Sequence, residues 1–371
     1  MKGMNKRIRI LDIFRGFAVL GTLGTNIWIF AYLGDLHYTT TFGIGDRWDW
    51  NDFLRILFLF FVNGKFLGML TIMFGVGLEL KYQQALRKGM PWPKTYLWTA
   101  FFLIGEGFLH FLLVMEYDIL MSYGITAILC AFAVKGGERR IAKTMALTGT
   151  VHVLFIVLLF FTANFSLGSF ADVVQLYREG TWFEQIHYRL ENFIVLRLEA
   201  LMIIPMNLFL FLLGVRLKRA GAFCSDLNGK KIRRKLAVIG ILLGVPLNLL
   251  IFVPNGSFDL TVRYLFAPLM ALGYMGIISL LVEKWPKLKI WHLLEQVGKM
   301  SLSIYIMQNI ICSVLFYGWG FALGRKLDSL NVMVLWGAIC ILQIFFSLRW
   351  FKRFRLGPME TVRKGVLGLL T

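Results

Sequence analysis

The strongest constraint in this sequence is a succession of long apolar segments separated by short, mostly basic connections. Of the 371 residues, 58% are hydrophobic and only 16% are charged. A water-soluble domain cannot bury so much apolar surface, whereas a lipid bilayer accepts it. The pattern therefore predicts an all-α fold, a polytopic integral membrane bundle that forms a single transmembrane domain over residues 1–371.

Ten apolar segments have the length of a membrane-spanning helix, which is roughly 17 to 25 residues. We place these about ten spans at residues 10–33, 53–79, 95–115, 118–134, 144–163, 193–215, 236–254, 260–282, 301–318 and 330–348. A basic tail, 349–371, follows the last of them. The first segment is too long for the core of a signal peptide, so we expect it to remain as a span.

The basic residues predict the orientation of the bundle. Six segments on one side hold 30 of the 40 Lys and Arg residues, whereas the loops on the other side hold five. Cytoplasmic loops of membrane proteins carry such an excess of basic residues. We therefore expect a protein of the plasma membrane with both termini in the cytoplasm. The net charge of +19 is spread over short patches between spans, so nucleic acid is not expected as a partner.

Sequence motifs of soluble enzymes do not occur in the chain. There is no P-loop, GxSxG, HExxH or Rossmann glycine pattern. The four cysteines form no CxxC motif and no cluster with histidine, so neither a disulfide framework nor a metal site is expected. Chemistry, if the chain performs any, must come from polar groups within the spans.

The first span, which includes ILDIFRGFAVLGTLGTN, carries a polar stripe. Thr22 lies seven residues after Arg15, and Asn26 lies eleven residues after it. These spacings place the three side chains on one helix face. Asp12 lies three residues before Arg15 and can pair with it. Anchoring at the interface and a structural amide are the alternatives to a binding site.

Four ionisable residues in or beside the second, third and fourth spans are candidates for function. Lys65 lies midway through a span, where an ammonium needs an acid partner or an anionic ligand. Glu106 and His110 share one helix face, and Asp118 follows the next turn. These groups could perform acid–base chemistry or form a proton relay, and a Glu106–Lys65 ion pair is the structural alternative.

The basic tail offers a second candidate surface. Arg353 and Arg355 are expected either to contact lipid headgroups or to form a phosphate-binding rim at the cytoplasmic mouth. The Gly-Pro step in the GPME sequence that follows indicates a segment folded back on the bundle.

Five ordered blocks of the sequence resemble the bacterial YeiB-like membrane proteins. They are LDxxRGxAxLGxxxxN at 11–26, KFLGMLTIMFGVGLEL at 65–80, GEGFLH with DILMSYG within 105–124, GKMSLSIYIMQN at 298–309, and RFRLGPME at 353–360. The YeiB-like proteins in turn resemble transmembrane acyltransferases, including heparan-alpha-glucosaminide N-acetyltransferase. That resemblance implies acetyl-CoA or another acyl-CoA as a cytoplasmic donor and an extracytoplasmic acceptor, such as a cell-envelope sugar or lipid.

The resemblance also implies roles for particular residues. In the related acyltransferases an Asn at the end of the first span is followed eleven residues later by a catalytic His, and here Asn26 is followed by His37. The general base would be His37 or, failing it, His110 with Glu106. The donor-binding residues would be Arg15, Lys65, Gln308, Arg353 and Arg355.

Two other functions are compatible with the same residues. A transporter or channel would use Lys65, Glu106, His110 and Asp118 as an ion or substrate path. A lipid-binding membrane protein without catalytic activity would keep the polar stripe for structure alone. The bilayer is the one partner that every alternative shares, and a homodimer is compatible with each.

Overall fold

The apolar segments form helices throughout the chain. The structure, a computed structural model, describes residues 8–42, 44, 48–162 and 170–370. It is 81% helix, and the described residues contain no β-strand. The prediction of an all-α polytopic bundle is therefore confirmed.

The described residues of the first half form nine α-helices. They are α1 (Arg9–Ala31), α2 (Trp50–Val62), α3 (Lys65–Arg87), α4 (Lys94–Leu113), α5 (Leu120–Lys135), α6 (Gly137–Thr162), α7 (Ala171–Glu179), α8 (Trp182–Glu191) and α9 (Phe193–Leu196). A short 3-10 helix, Leu36–Thr39, lies between α1 and α2.

The second half also holds nine helices. They are α10 (Ala200–Arg219), α11 (Leu227–Ile239), α12 (Val245–Asn248), α13 (Asp259–Thr261), α14 (Ala267–Lys284), α15 (Lys289–Lys299), α16 (Ser301–Phe316), α17 (Ser329–Trp350) and α18 (Pro358–Leu370). The π-helices Gly240–Gly244 and Val262–Phe266 join α11 to α12 and α13 to α14.

Eight helical segments of the described chain, some of them two helices joined across a short break, are long and apolar enough to cross a membrane, and the bent pair α15–α16 makes a ninth. A helix lies at each of the ten predicted spans, but two of them differ from the expected form. Helix α5, at 16 residues, is shorter than a full span. Helix α16 has the same length and meets α15 at 84°.

Helix α1 is the centre of the bundle, with 83% of its apolar window buried. It crosses α15 at two glycines, Gly16 and Gly298. A Cβ on Gly298 would lie 1.8 Å from the Asp12 carbonyl oxygen, and one on Gly16 would lie 1.9 Å from that of Leu294. Only glycine permits backbones to approach this closely, so the crossing fixes α1 against α15.

The peripheral helices expose apolar side chains outward. The spanning windows of α6 and α17 are only 22% and 28% buried, and large side chains such as Leu154, Phe161 and Ile341 are exposed on them. In water such a surface would aggregate, whereas in a bilayer it faces acyl chains. The chain is therefore a multi-pass membrane protein.

The basic helix ends lie together on one side of the bundle. Arg219 at the end of α10 pairs with Glu79 of α3 at 2.9 Å and with Glu138 of α6 at 2.7 Å. Arg9 of α1 pairs with Glu295 of α15 at 3.0 Å. These cross-helix ion pairs hold the ends of five helices in one layer, which we call the basic end.

Candidate functional site

A cavity of about 760 Å³ opens at the basic end and runs between α1, α3, α4, α5, α16 and α18. Six basic side chains line it, compared with the two carboxylates of Asp12 and Glu360: Arg15, Lys81, Arg87, Lys218, Lys299 and Arg363. Its volume is within the range of ligand-binding pockets. The lining charge favours an anionic ligand, and a phosphorylated one in particular.

Like charges crowd one wall of this cavity. Lys81 lies within electrostatic range of both Arg363 and Lys88. Neither Lys81 nor Lys218 forms an ion pair with a carboxylate of the described chain, whereas Lys299 pairs with Glu295 at 2.6 Å. Repulsion between unneutralised cations costs free energy, and a polyanionic ligand relieves it.

The inner end of the cavity is formed by apolar and aromatic residues. Ile119 and Leu120 of the α4–α5 turn line it, as do Tyr123 and Tyr305. Tyr305 is buried, and its ring centroid lies 5.2 Å from that of His110. The Tyr305 side chain therefore separates the cavity from His110 and the polar groups around it, and we call Tyr305 the inner wall.

A buried aspartate–histidine pair lies directly behind that wall. His110 Nδ1 is 3.1 Å from Asp118 Oδ1, and both side chains are almost fully buried. An ionised Asp118 can only accept a hydrogen bond, so Nδ1 carries the hydrogen and Nε2 keeps its lone pair. This is the arrangement of a general base that is oriented by a carboxylate.

Two asparagines extend the pair across the bundle to α1. Asn309 of α16 donates through Nδ2 to His110 Nε2 at 3.1 Å. Its Oδ1 accepts from Asn26 Nδ2 at 3.2 Å. The four residues Asp118, His110, Asn309 and Asn26 thus form a continuous hydrogen-bonded chain, which we call the relay. Asn26 donates to Asn309, Asn309 donates to His110, and His110 donates to Asp118. All three hydrogen bonds therefore point toward the carboxylate.

Backbone and side-chain groups fix the acid end of the relay. Asp118 Oδ2 accepts from the Met121 N–H at 3.0 Å, and this contact lies at the start of α5. Arg197 donates to the Asp118 carbonyl oxygen at 2.8 Å and to Ser122 Oγ at 3.1 Å. Helix-end geometry therefore holds the carboxylate in place, and the carboxylate in turn holds the imidazole.

Glu106 takes no part in the relay, although it lies one turn before His110. Both of its carboxylate oxygens are buried without a hydrogen-bond partner among the described residues. It forms no ion pair with Lys65, so the structural pair considered from the sequence does not occur. The acid that bonds His110 is Asp118, because the turn between α4 and α5 brings it back alongside.

His37 lies apart, in the 3-10 helix after α1. Its Nδ1 is 3.0 Å from Asp35, and its ring stacks on Phe42 with centroids 4.7 Å apart. Asp35 also pairs with Arg325, toward the end of the α16–α17 connection. None of the described contacts of His37 involves Asn26, so the structure does not bring these two predicted partners together.

The five predicted donor-binding residues differ in whether they line the cavity, and Lys65, fully buried at the start of α3, does not. Arg15 lines the cavity, near Asp12 at 3.5 Å. Gln308 is fully buried away from the lining, 3.4 Å from Gln343. Arg353 and Arg355 are exposed and do not line the cavity.

The segment after GPME folds back on the bundle, and α18 supplies Glu360 and Arg363 to the cavity. Glu360 Oε1 accepts from the Leu302 N–H at 3.0 Å, and its other oxygen lies beside the Ser303 hydroxyl. A carboxylate at the N-terminus of α16 is stabilised by the helix dipole and by these donors. The tail is thereby attached to the helix that carries Tyr305 and Asn309.

Helices α7 and α8 cover the Asp118 end of the relay. Arg189 of α8 is fully buried and donates to the Leu112 and Val114 carbonyl oxygens at 2.9 and 3.1 Å. The Tyr177 hydroxyl donates to Glu116, and burial beside that carboxylate raises the pKa of Tyr177 well above its usual value. These buried contacts close the bundle over the turn that carries Asp118.

Sequence reasoning missed Asn309, Tyr305 and Arg363. Asn309 and Tyr305 lie within GKMSLSIYIMQN, but Asn309 is 283 residues from its partner Asn26. No periodicity argument connects positions that far apart. Arg363 was counted in the tail with the other basic residues, and only the fold of α18 distinguishes it from Arg353 and Arg355.

Known proteins are similar to this chain over nearly its whole length. Residues 217–368 match the family described as "Protein of unknown function (DUF418)". The chain is 29% identical over 383 residues to "Uncharacterized protein YeiB" of Escherichia coli (strain K12), which covers 94% of this chain and 93% of the relative. It is 25% identical over 382 residues to "Uncharacterized protein YxaH" of Bacillus subtilis (strain 168), which covers 96% and 93%. No solved structure matches the chain.

Proposed function

The chain belongs to the YeiB-like membrane proteins, and we propose that it is a membrane-embedded acyltransferase. It would take an acyl group from acyl-CoA in the basic cavity and transfer it to a hydroxyl or amine on the other side of the relay. The observation that carries this proposal is the position of the His110–Asp118 pair, directly behind the inner wall of a cavity lined by six basic side chains.

The cavity suits the two parts of an acyl-CoA. Its outer part presents Lys81, Lys218 and Arg363, which match the phosphates of the nucleotide. Its inner part presents Leu103, Leu120 and other apolar side chains, which match the pantetheine arm and the acyl chain. The thioester would then reach Tyr305, whose side chain must turn aside for the acyl carbon to meet the relay.

The relay would supply the proton transfer. The acceptor oxygen or nitrogen attacks the thioester carbonyl carbon, while its proton passes to His110 Nε2. The new C–O or C–N bond forms as the C–S bond breaks, and the proton on His110 passes to the departing thiolate. Asp118 stabilises the imidazolium that exists between these steps.

Asn26 would stabilise the negative charge that develops on the carbonyl oxygen. One hydrogen of its amide goes to Asn309, and the second is free to donate to an oxyanion. Asn26 is partly accessible, whereas most of α1 is buried. A reacting group could therefore approach it from within the bundle.

The orientation gives the reaction a direction. With the basic end in the cytoplasm of a cell, as the positive-inside rule predicts for the plasma membrane, the donor enters from the cytoplasm. The acceptor, an envelope sugar or lipid, would approach from the end covered by α7 and α8. The acyl group crosses the membrane, while CoA remains on the side from which it came.

Calorimetry with acetyl-CoA on the purified protein in nanodiscs tests donor binding, and release of free thiol tests turnover. We expect His110→Asn and Asp118→Asn to bind acetyl-CoA as the wild type does while thiol release falls by roughly 10²–10⁴-fold. His187→Asn is the matched control, because His187 also pairs with a carboxylate, Glu191, but is exposed. No binding at millimolar acetyl-CoA would refute the proposal.

The same preparation separates the competing functions. Substrate or ion flux in proteoliposomes without any acyl donor would indicate the transporter that Lys65, Glu106, His110 and Asp118 could also serve. Absence of both acyl-CoA binding and flux would leave the lipid-binding protein.

A further inference from the structure

The α2–α3 pair is one apolar segment that the structure breaks at Asn63 and Gly64, partway through the membrane. Helix α2 ends at Val62 and α3 begins at Lys65, so a helix N-terminus lies inside the bundle. We propose that this break binds a monovalent anion of halide or carboxylate size, held by Lys65 and the first turn of α3. Such a site is independent of the acyl-CoA cavity.

The first turn of α3 offers backbone donors to that anion. Its first intrahelical bond runs from the Gly68 N–H to the Gly64 carbonyl oxygen, at 3.0 Å. The N–H groups of Lys65, Phe66 and Leu67 precede that bond and have no acceptor within the helix. No side chain caps this end, although α3 is 23 residues long. The end of a long helix carries a partial positive charge of roughly half an elementary charge.

Lys65 places an amine, which is a cation when protonated, at the same end of the helix. It is 0% exposed, and its Nζ has no hydrogen-bond partner among the described residues. The Cα–Cβ bond of a helical residue tilts toward the N-terminus, so this side chain extends past the first turn toward α2. Its Nζ lies 5.8 Å from the ring centroid of Phe60, in the last turn of α2.

Arg55 of α2 already has a carboxylate partner, and Lys65 has none among the described residues. Arg55 pairs with Asp52 at 2.7 Å and donates to the Tyr38 and Thr40 carbonyl oxygens. Lys65 forms no ion pair with a carboxylate of the described residues. An uncompensated buried ammonium costs several kcal/mol in free energy, on the order given for a buried ion. A bound anion would remove most of that cost.

The geometry of the break is fixed by the residues around it. Gly64 has φ of 76°, and a Cβ there would lie 2.3 Å from the Arg263 carbonyl oxygen. Asn63 donates to the Thr39 carbonyl oxygen at 3.0 Å. The break is thus packed against the π-helix Val262–Phe266 and the 3-10 helix after α1.

The charge of the site determines the charge of the ligand. One ammonium and one helix end together neutralise a single negative charge. A divalent anion would leave net negative charge in a low-dielectric interior, which is unfavourable. Chloride and a small carboxylate such as acetate both meet this requirement, and the test distinguishes them.

The test is the thermal unfolding of the whole chain in nanodiscs, titrated with chloride, acetate or sulfate at matched ionic strength. Binding to the folded state raises Tm with ligand concentration. We expect a saturable rise in Tm with chloride or acetate for the wild type and for Lys326→Met, which removes an exposed lysine. Lys65→Met should lose that rise.

A second measurement does not depend on a variant. Equilibrium dialysis of the wild type with radiolabelled chloride, and with radiolabelled acetate, should give one saturable site per chain for the better ligand. An anion-dependent Tm that persists in Lys65→Met, or the absence of saturable binding of either anion to the wild type, would overturn the proposal. Loss of acetyl-CoA binding alone would count against the acyltransferase and not against this site.

Discussion

At the scale of single residues, His110 is notable for its two different neighbours. Asp118 accepts from one ring nitrogen, and Asn309 donates to the other. The two contacts therefore fix the orientation of the imidazole, with Nε2 facing Asn309 of α16. An acceptor hydroxyl has to take the place of the Asn309 amide at Nε2, so Asn309 marks the position at which the substrate proton would be removed.

The substitution Asn309→Asp, which replaces that amide with a carboxylate, tests whether the proton is removed at His110 Nε2. In Asn309→Asp the new side chain can only accept, so Nε2 has to carry a hydrogen and can no longer remove one. We expect thiol release from acetyl-CoA to fall by about 10²–10⁴-fold at neutral pH, with unchanged donor affinity.

The control for this exchange is Asn331→Asp, which places the same charge at an exposed position in α17. It should leave the rate and its pH profile unaltered. A rate for Asn309→Asp equal to that of the wild type would remove the relay from the mechanism.

Particular residues show what sequence reasoning can and cannot reach. The 3.6-residue period places Asp12 beside Arg15, and the structure has them 3.5 Å apart. The same period places Glu106 beside His110, yet the imidazole bonds Asp118 across the turn. Contacts within one helix follow from spacing, whereas a choice between two carboxylates depends on how α4 and α5 pack.

At the scale of helices, interruptions matter more than the spans themselves. The ten apolar segments predict where helices lie, because hydrocarbon requires every backbone group to be paired. The break at Met300 coincides with the predicted start of a span at residue 301, whereas the break at Asn63–Gly64 lies inside the predicted span 53–79 and is not expected from its length and hydropathy. Neighbouring helices stabilise these breaks, and that information is absent from any local stretch of sequence.

The crossing of α1 and α15 gives a prediction for helix packing. In Gly298→Ala the new methyl would lie 1.8 Å from the Asp12 carbonyl oxygen, so the helices must separate. We expect a loss of about 1–3 kcal/mol in the free energy of unfolding, the usual cost of overpacking. Thermal unfolding in detergent measures it.

Gly337→Ala is the matched control, because a Cβ at Gly337 of α17 has no atom within 4 Å. It should be neutral or should stabilise the protein, since alanine favours a helix over glycine by about 1 kcal/mol. Equal effects of the two substitutions would mean that the α1–α15 contact is looser than the structure has it.

At the scale of the whole molecule, the protein has one basic end and one end closed by α7 and α8. Cation-rich helix termini and the mouth of the cavity share the basic end, so a single orientation in the membrane decides which compartment supplies the donor. Charge distribution alone allows this orientation to be predicted, because it depends on the number of basic residues and not on their contacts.

Cysteine labelling tests the orientation without any added tag. Cys224 is exposed near the basic end, between α10 and α11, whereas Cys130, Cys312 and Cys340 are buried. A membrane-impermeant maleimide should label the wild type in inside-out vesicles and not in right-side-out vesicles or spheroplasts. Cys224→Ser should abolish the label, and labelling of intact spheroplasts would reverse the assigned orientation.

The contact between Glu360 and the start of α16 couples the position of that helix to the position of the tail. Its N-terminal end is held by the tail that covers the cavity, Tyr305 lies one turn further, and Asn309 lies roughly 9 Å along from Ser303 at 1.5 Å per residue. A helix this short moves as a rigid rod. Any ligand that displaces the tail therefore shifts Tyr305 and Asn309 together, so that opening of the path from the cavity and release of His110 Nε2 from the Asn309 amide occur in one movement.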